Sequence, residues 1–266
     1  MNGWDVTQLT FGTSEGRFHA HSYYDIPVFD AEGRRILAHR MNFSGRQPTP
    51  EDSVEVGIID TKTPGSWVRL GESRAWSWQQ GPMAQWVTAT GQACWNDRTA
   101  DGFVARLADP ETGKITTLPR AVYALEPSGA FALSLDMARL ELLRPGYGYA
   151  VTSQSSGMPR RPSDSGVWRV PLDGGAPVLI LSLADAVRWM LRRFPLKQRL
   201  RHELRRYHYW FNHAKISPDG TRFTVKLRWR HPGKRWTSRQ GVSLTCATDG
   251  RDLRLLSDDT SHVLWQ

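Results

Sequence analysis

Lys215-Ile-Ser-Pro-Asp-Gly-Thr-Arg-Phe-Thr-Val225 is the stretch that decides the fold of this 266-residue chain. A short apolar run leads into a polar turn that ends in glycine, and an alternating apolar run follows. Glycine takes the positive φ that a tight hairpin turn requires, and alternation with a period of two indicates a half-buried strand. The stretch therefore predicts a β-hairpin turning at Gly220.

The same pattern occurs three more times along the chain, with turns at Gly33, Gly91 and Gly129. A second kind of hairpin alternates strictly with the first. Its turns fall at Gly65, Gly113, Gly174-Gly175 and Asp249-Gly250. One hairpin of each kind makes a four-stranded antiparallel sheet, which is the blade of a β-propeller.

The sequence therefore predicts an all-β fold, a single propeller domain over residues 1–266. The predicted blades cover 17–71, 72–119, 120–182 and 208–257, with the start of a fifth at 261–266. Val6–Phe11 is predicted to form an outer strand that closes the last blade. We interpret the chain as part of a larger ring, and the alternative is a closed four-bladed ring. A β-sandwich is a competing fold, but it would not predict the alternation of the two kinds of hairpin. A part of a ring would expose a blade face and favour self-association.

Residues 183–207 interrupt the strand pattern with a helical and basic insertion. Leu183, Val187 and Met190 open one apolar stripe behind an N-cap at Ser182, and a second stripe runs through Leu196, Leu200, Leu204 and Tyr207. Between Leu183 and Arg206 eight basic residues stand against two acidic ones, so this segment supplies +6 of the formal charge of +9. The charge predicts either a solvated helix face or a surface for a polyanion, but no nucleic-acid motif accompanies it, so nucleic acid is not the expected partner.

Composition limits the cellular setting. No apolar run reaches the roughly 20 residues that span a bilayer, and the first residues lack a signal-peptide pattern. The sequence predicts no membrane partner. The two cysteines, Cys94 and Cys246, lie in strand-like stretches and are predicted to be buried free thiols rather than a disulfide or metal ligands, which fits a cytoplasmic protein.

Two histidines hold equivalent positions in consecutive predicted blades. Asn212-His213 precedes the hairpin at Gly220, and His262 lies in Ser261-His-Val-Leu-Trp265. Propeller ligands bind where innermost strands converge, and imidazoles serve there as a general base or a metal ligand. The alternative for each is an ordinary hydrogen-bonded histidine.

At these residues the chain resembles the oligogalacturonate lyases, cytoplasmic seven-bladed propellers that cleave pectin-derived uronides. Trp210-Phe-Asn-His213 followed by Pro218 is similar to the family's W-L-G-H-P segment, and Ser261-His-Val-Leu-Trp265 to its T-H-E-F-W segment. The resemblance implies that His213 is the catalytic base and His262 a ligand of a divalent metal, Mn²⁺, in a metal-assisted β-elimination. The family's further ligands have no counterpart up to Gln266, and Ser165-Gly166 stands where the family has a substrate-binding arginine. The resemblance therefore implies an incomplete or inactive lyase.

Other residues are predicted to contact a saccharide. Trp78, Gln79 and Trp86 combine flat aromatic faces with a side-chain amide, although propeller tryptophans also pack between blades. Arg144 and Tyr147 lie in the long connection 136–165, at the expected mouth of the channel, and Asn212 precedes the candidate base. The alternative function is a propeller that binds sugar or protein without catalysis.

Overall fold

The computed structural model describes residues 5–152, 157–231 and 233–258, without the side chains at positions 13 and 15. The chain divides into two compact units, Met1–Leu118 (unit 1) and Pro119–Gln266 (unit 2). Each unit contains two four-stranded antiparallel sheets in which sequence neighbours are paired. Sheets built from consecutive hairpins are what the repeat predicted.

In unit 1 the first sheet has the order β1-β2-β3-β4 and the second β5-β6-β7-β8. Their strands are β1 Phe18–Ala20, β2 Arg35–Met41, β3 Val54–Asp60, β4 Val68–Ser73, β5 Gln85–Val87, β6 Gln92–Thr99, β7 Gly102–Ala108 and β8 Ile115–Leu118. The core lies between the two sheets, where Leu37 and Val56 of the first pack against Trp86 and Trp95 of the second. Trp95 also donates from Nε1 to the carbonyl of Glu72 on β4 at 3.1 Å, which ties the two sheets together.

Unit 2 repeats the arrangement with the orders β9-β10-β11-β12 and β13-β14-β15-β16. The strands are β9 Ala124–Leu125, β10 Phe131–Ser134, β11 Gly166–Pro171, β12 Val178–Ser182, β13 His208–Ile216, β14 Arg222–Arg230, β15 Gln240–Ala247 and β16 Arg254–Ser257. The innermost strands of the two sheets meet, because the Tyr123 hydroxyl, next to β9, lies 3.2 Å from Oδ1 of Asn212 on β13.

The predicted turns are confirmed. Gly220 has a φ of +71° and its N–H donates to the carbonyl of Ser217 at 2.9 Å, which closes the hairpin between β13 and β14. The other predicted turn glycines also have positive φ: Gly33, Gly65, Gly91, Gly113, Gly129, Gly174 and Gly250. Both cysteines are free and buried, Cys94 on β6 and Cys246 on β15, as predicted.

The four sheets fall within or close to the predicted blade limits, at 18–73, 85–118, 124–182 and 208–257. The prediction of one domain over 1–266 stays a prediction. The partial fifth blade at 261–266 lies outside the described residues. Residues 6–11 form no strand, which corrects the prediction of an outer strand there: Val6 is exposed, and the carbonyl of Leu9 accepts one backbone hydrogen bond, from Gly65.

Unit 2 also contains three helices within its described residues: α1 Met137–Leu143, α2 Leu183–Arg193 and α3 Leu196–Leu204. Ser182 caps α2 as predicted, accepting from the N–H of Asp185 at 3.0 Å, and Pro195 separates α2 from α3. α1 was missed in the predicted connection, although Asp136 marks its start by accepting from the N–H of Arg139. No helix in the described part of the chain is long and apolar enough to cross a bilayer.

The second predicted apolar stripe is wrong for its three leucines, whereas its fourth member, Tyr207, is buried. Leu196, Leu200 and Leu204 are 69%, 52% and 81% exposed, and α3 buries His202 instead. His202 lies among aromatic rings, with Nδ1 at 2.8 Å from the hydroxyl of Tyr209 and its ring 5.0 Å from that of Trp229. The burial of the His202 side chain fixes the rotation of α3 about its axis and places the three leucines at the surface.

Candidate functional site

Four of the residues predicted as candidates lie together in unit 2, in a group we call the Arg144–His213 cluster. Its members are Arg144, Tyr147, Asn212 and His213, with Trp236 beside them. Trp78, Gln79 and Trp86 belong to unit 1, and His262 lies outside the described residues. The cluster is therefore assembled from three segments of unit 2: β13, the residues after α1, and the connection from β14 to β15.

His213 lies at an irregularity of β13. The register with β14 shifts between Asn212 and Lys215, and His213 has a φ of +54°, which is uncommon for a residue with a Cβ. Its N–H leaves the strand ladder and donates to Oδ1 of Asn212 at 2.8 Å and to the hydroxyl of Tyr123 at 3.3 Å. A bulge of this kind re-aims a side chain, and strained backbone of this kind is concentrated at functional sites.

Asn212 is fully buried beside this bulge. Its Oδ1 is used by the Tyr123 hydroxyl and by the N–H of His213. No described residue accepts a hydrogen bond from its Nδ2. A buried amide donor without an acceptor costs free energy, so this N–H₂ group retains unused hydrogen-bonding capacity.

Tyr147 reaches His213 from the segment that follows α1. The two rings meet edge to face with their centroids 6.0 Å apart. The carboxylate of Glu141 holds the segment in place, accepting from the N–H of Gly146 at 2.9 Å and of Gly148 at 3.2 Å. Burial raises the pKa of Glu141, while these backbone hydrogen bonds act in the opposite direction. The fixed loop keeps Tyr147 against His213.

Arg144 is the most distinctive member of the cluster. It is only 7% exposed, and its guanidinium carbon lies 3.7 Å from the ring centre of Tyr147 and 4.6 Å from that of Trp236. Within the described residues, neither Nε nor Nη1 finds a hydrogen-bond acceptor. Aromatic rings stabilise the charge of a guanidinium but leave its N–H groups unsatisfied. A buried arginine in this state is suited to an anion with two oxygens, such as a carboxylate.

The surroundings of the cluster are cationic. Asn212 pairs across the sheet with Lys226, and Trp210 with Arg228, and both of these basic residues are buried. Arg239 lies over the other aromatic member, Trp236, at 4.9 Å. Burial, and to a smaller extent the charge of Arg144, lowers the pKa of Arg239. The positive charge of Arg144 and Arg239 favours an anion as a ligand.

The described residues do not fit a metal centre. They contain no group of three or more His, Cys, Asp or Glu side chains placed to hold an ion. The predicted ligand His262 is outside the described residues, so its role stays a prediction.

The candidates in unit 1 are arranged differently. Trp86 is 6% exposed, packs in the core between the two sheets, and donates from Nε1 to the carbonyl of Val28 at 3.1 Å. Trp78 is 39% exposed but donates to the carbonyl of Arg46 at 2.7 Å and packs edge to face against Trp76. Gln79 is exposed. In this arrangement Trp86 is placed for packing between sheets, and Trp78 keeps part of one face accessible.

The sequence analysis missed Tyr123, Trp236 and Arg239. For Tyr123 a signal existed, because it immediately precedes the first strand of the hairpin at Gly129, close to the position that Asn212 and His213 hold before the hairpin at Gly220. Trp236 and Arg239 lie in a connection without a repeat pattern, so only tertiary structure brings them to the cluster.

Comparisons with known proteins identify the fold class. No protein-family model matches the chain, and no curated protein sequence matches it. Among solved structures, the oligogalacturonate lyase of Vibrio parahaemolyticus superposes with a TM-score of 0.51 at 12% identity, covering 92% of this chain and 55% of that one. The chain thus spans little more than half the length of this lyase. At such identity the likeness shows the fold alone: this protein has the fold of a β-propeller with four-stranded antiparallel blades.

Two further solved structures are similar over most of the chain. One is an oligogalacturonate lyase in complex with manganese, with a TM-score of 0.40 at 12% identity, covering 94% of this chain and 68% of that one. The other is a putative TolB from Agrobacterium tumefaciens, with a TM-score of 0.39 at 13% identity, covering 90% and 80%.

Proposed function

We propose that this chain binds an acidic saccharide, a uronide, through the Arg144–His213 cluster. The observation that carries the proposal is the buried guanidinium of Arg144, held between Tyr147 and Trp236 with two nitrogen atoms that lack an acceptor in the described part of the chain. A uronate carboxylate supplies two acceptor oxygens to such a group. The resemblance at His213 supports a uronide rather than another carboxylate.

Asn212 and Tyr147 extend the cluster in a way that suits a sugar. The Nδ2 group of Asn212 is a donor for a hydroxyl or ring oxygen. Tyr147 presents an aromatic ring and a hydroxyl, the combination of apolar and polar surface that sugar rings require. Together with Arg144 these residues offer several donors to a ligand rich in acceptors.

The test is a calorimetric titration with trigalacturonate of the wild-type chain and of Arg144→Gln. We expect the substitution to weaken binding roughly 10- to 100-fold, because a charge-assisted hydrogen bond is worth about 1.5–3 kcal/mol. Arg46→Gln is the matched control: Arg46 also lies over an aromatic ring, that of Phe43 at 3.8 Å, but its guanidinium is bound to Asp52 at 2.6 Å. Equal affinity for the methyl-esterified trisaccharide, which has no carboxylate, would show that the proposal is wrong.

A second candidate function is β-elimination of the bound uronide, favoured by the position of His213 beside the proposed carboxylate site. The neutral imidazole would take the proton from C5, the electron pair left on C5 would form the C4=C5 double bond, and the C4–O bond would break. The leaving oxygen would then take a proton from water. Arg144, facing the carboxylate next to C5, would stabilise the negative charge that develops there.

The family resemblance implies Mn²⁺ for this chemistry, but the described residues contain no group of three or more His, Cys, Asp or Glu side chains that would hold it. Absorbance of the unsaturated product distinguishes the alternatives. Turnover by the wild-type chain in excess EDTA, lost in His213→Gln with uronide binding retained, would support elimination by this chain's own residues. Binding without turnover, with or without Mn²⁺, would instead assign the chain to the non-catalytic sugar-binding propellers.

Self-association through an exposed sheet face, a cytoplasmic location and pectin degradation stay predictions of the sequence analysis.

A further inference from the structure

The surface of α3 combines exposed leucines with cations that have no acidic partner. Leu196, Leu200 and Leu204 are spaced by four residues, so they form one ridge that extends over about 12 Å of helix. All three are more than half exposed. We call them the leucine ridge.

The orientation of the ridge is fixed by contacts on the opposite side of the helix. His202 lies two residues from Leu200, about 200° around the helix, and is buried among the rings of Phe194, Tyr207 and Trp229. Arg160 donates to the carbonyl of His202 at 3.2 Å. α3 is therefore attached through its polar face, and its apolar face has no partner among the described residues.

The ridge is flanked by positive charge. Lys197 and Arg201 on α3 and Arg205 at its C-cap are exposed, and no carboxylate in the described residues pairs with them. The acidic residue of α3, Glu203, is used by Arg161 at 2.8 Å. Arg192 and Arg193 add exposed charge at the end of α2. Apolar side chains within a cationic border are the pattern of a helix that lies at the surface of an anionic bilayer.

We propose that the leucine ridge is a peripheral contact with anionic lipid. The absence of a spanning segment led the sequence analysis to predict no membrane partner, but a peripheral contact needs no spanning segment. A soluble polyanion, the partner considered in the sequence analysis, would bind the basic residues but would leave the three leucines exposed to water. A lipid surface accepts both, because leucines enter the acyl boundary while Lys and Arg remain at the phosphate groups.

Other occupants fit the same surface less well. A second copy docked ridge to ridge would bring the cationic borders of both copies together, which opposes association. An acidic protein would need an apolar groove matched to a convex ridge. The lipid surface requires no such shape.

The test is co-sedimentation of the full chain with vesicles of phosphatidylcholine alone and of phosphatidylcholine with about one third phosphatidylserine. We expect binding to the anionic vesicles only, and a loss of roughly tenfold or more in the partition coefficient for Leu200→Glu. Leu255→Glu is the matched control: Leu255 is 45% exposed on β16, outside the ridge, and its replacement is expected to leave binding within about twofold. Because Leu200 makes little contact with the fold, the thermal transition of Leu200→Glu should match that of the wild type.

Three results would overturn the proposal. Absence of binding to either vesicle would do so directly. Equal binding by Leu200→Glu, with loss in a Lys197→Gln/Arg205→Gln variant, would show a charge effect without the ridge. Binding to soluble polyglutamate or self-association in sedimentation equilibrium, abolished by Leu200→Glu in the absence of vesicle binding, would assign the ridge to a protein partner.

Discussion

The two units share one sheet architecture but differ in their balance of basic and acidic residues. Unit 1 has 11 Lys and Arg against 14 Asp and Glu, whereas unit 2 has 24 against 12. In unit 1, Arg35 binds Asp30 at 2.8 Å and Arg106 binds Asp97 at 2.8 Å. In unit 2, Arg144 lies between aromatic rings instead.

The contacts that hold a guanidinium decide whether its N–H groups are already used by the fold. A guanidinium bound by a carboxylate of its own unit is committed to the fold and has little capacity for a ligand. A guanidinium stabilised by aromatic faces has N–H groups that no carboxylate of the fold has taken up. The formal +9 of the whole chain is thus an excess carried by unit 2, beside both proposed binding surfaces.

The largest predicted effect is a loss of folding stability in unit 1 as the pH falls. Burial lowers the pKa of His39 to about 3, with smaller contributions from the charges of His21 and His19. The folded state thus keeps His39 neutral while the unfolded state binds a proton below about pH 6.5, so stability is lost as pH falls from there towards 3. At pH 4 the loss should be about 3 kcal/mol. Urea titrations of the wild type and His39→Gln between pH 4 and 7 measure it, and identical pH slopes would contradict it.

A second prediction compares the same repeat position in the two units. Asp30 and Glu126 each lie three residues before the turn glycine of their hairpin. The carboxylate of Asp30 accepts from Arg35 Nε at 2.8 Å as well as from backbone N–H groups, whereas that of Glu126 accepts from Ser128 and from the N–H of Ala130. Asp30→Asn should cost about 2–3 kcal/mol of unfolding free energy and Glu126→Gln about 1. Equal losses of unfolding free energy for the two variants in chemical denaturation would show that the arginine contact of Asp30 adds no stability.

The third prediction uses two buried tryptophans. Trp95 donates to the carbonyl of Glu72, whereas Nε1 of Trp210 has no acceptor among the described residues. Trp95→Phe leaves a carbonyl unpaired, and Trp210→Phe removes an unsatisfied donor. We expect Trp95→Phe to be the more destabilising by about 1 kcal/mol in urea denaturation. A larger loss for Trp210→Phe would indicate that its indole N–H is satisfied in solution.

The smallest effect should come from an exposed ion pair of unit 2. Arg188 and Asp185 are 2.6 Å apart, with both side chains 60% exposed. Solvent screening makes such pairs worth little, so Arg188→Gln should change the unfolding free energy by about 0.5 kcal/mol or less. A clear loss of stability would mean that the charge excess of unit 2 contributes to folding rather than to binding.

Much of the fold could be predicted because its signals are local. The glycine of each hairpin needs positive φ and the flanking strands alternate, so Gly220 and its equivalents locate the turns from sequence alone. The cap at Ser182 was readable for the same reason, since it depends on residues three apart.

The errors arose where distant contacts outweighed a local pattern. The leucines of α3 follow helical periodicity, but His202 packs against Trp229 of β14, and this contact fixes which face of the helix is buried. In the cluster, the sequence indicated Arg144, Tyr147, Asn212 and His213 separately. It did not indicate that Trp236 would join Tyr147 around Arg144, because these residues lie far apart along the chain.

The sequence by itself determined the repeated hairpins, their turns and hence the propeller class, since each depends on the backbone preferences of neighbouring residues. Only the tertiary structure decided which arginines are neutralised by carboxylates, which lie against aromatic rings, and which face of α3 meets solvent. Those outcomes depend on contacts between segments distant in the chain, and burial, charge and hydrogen bonding act there together.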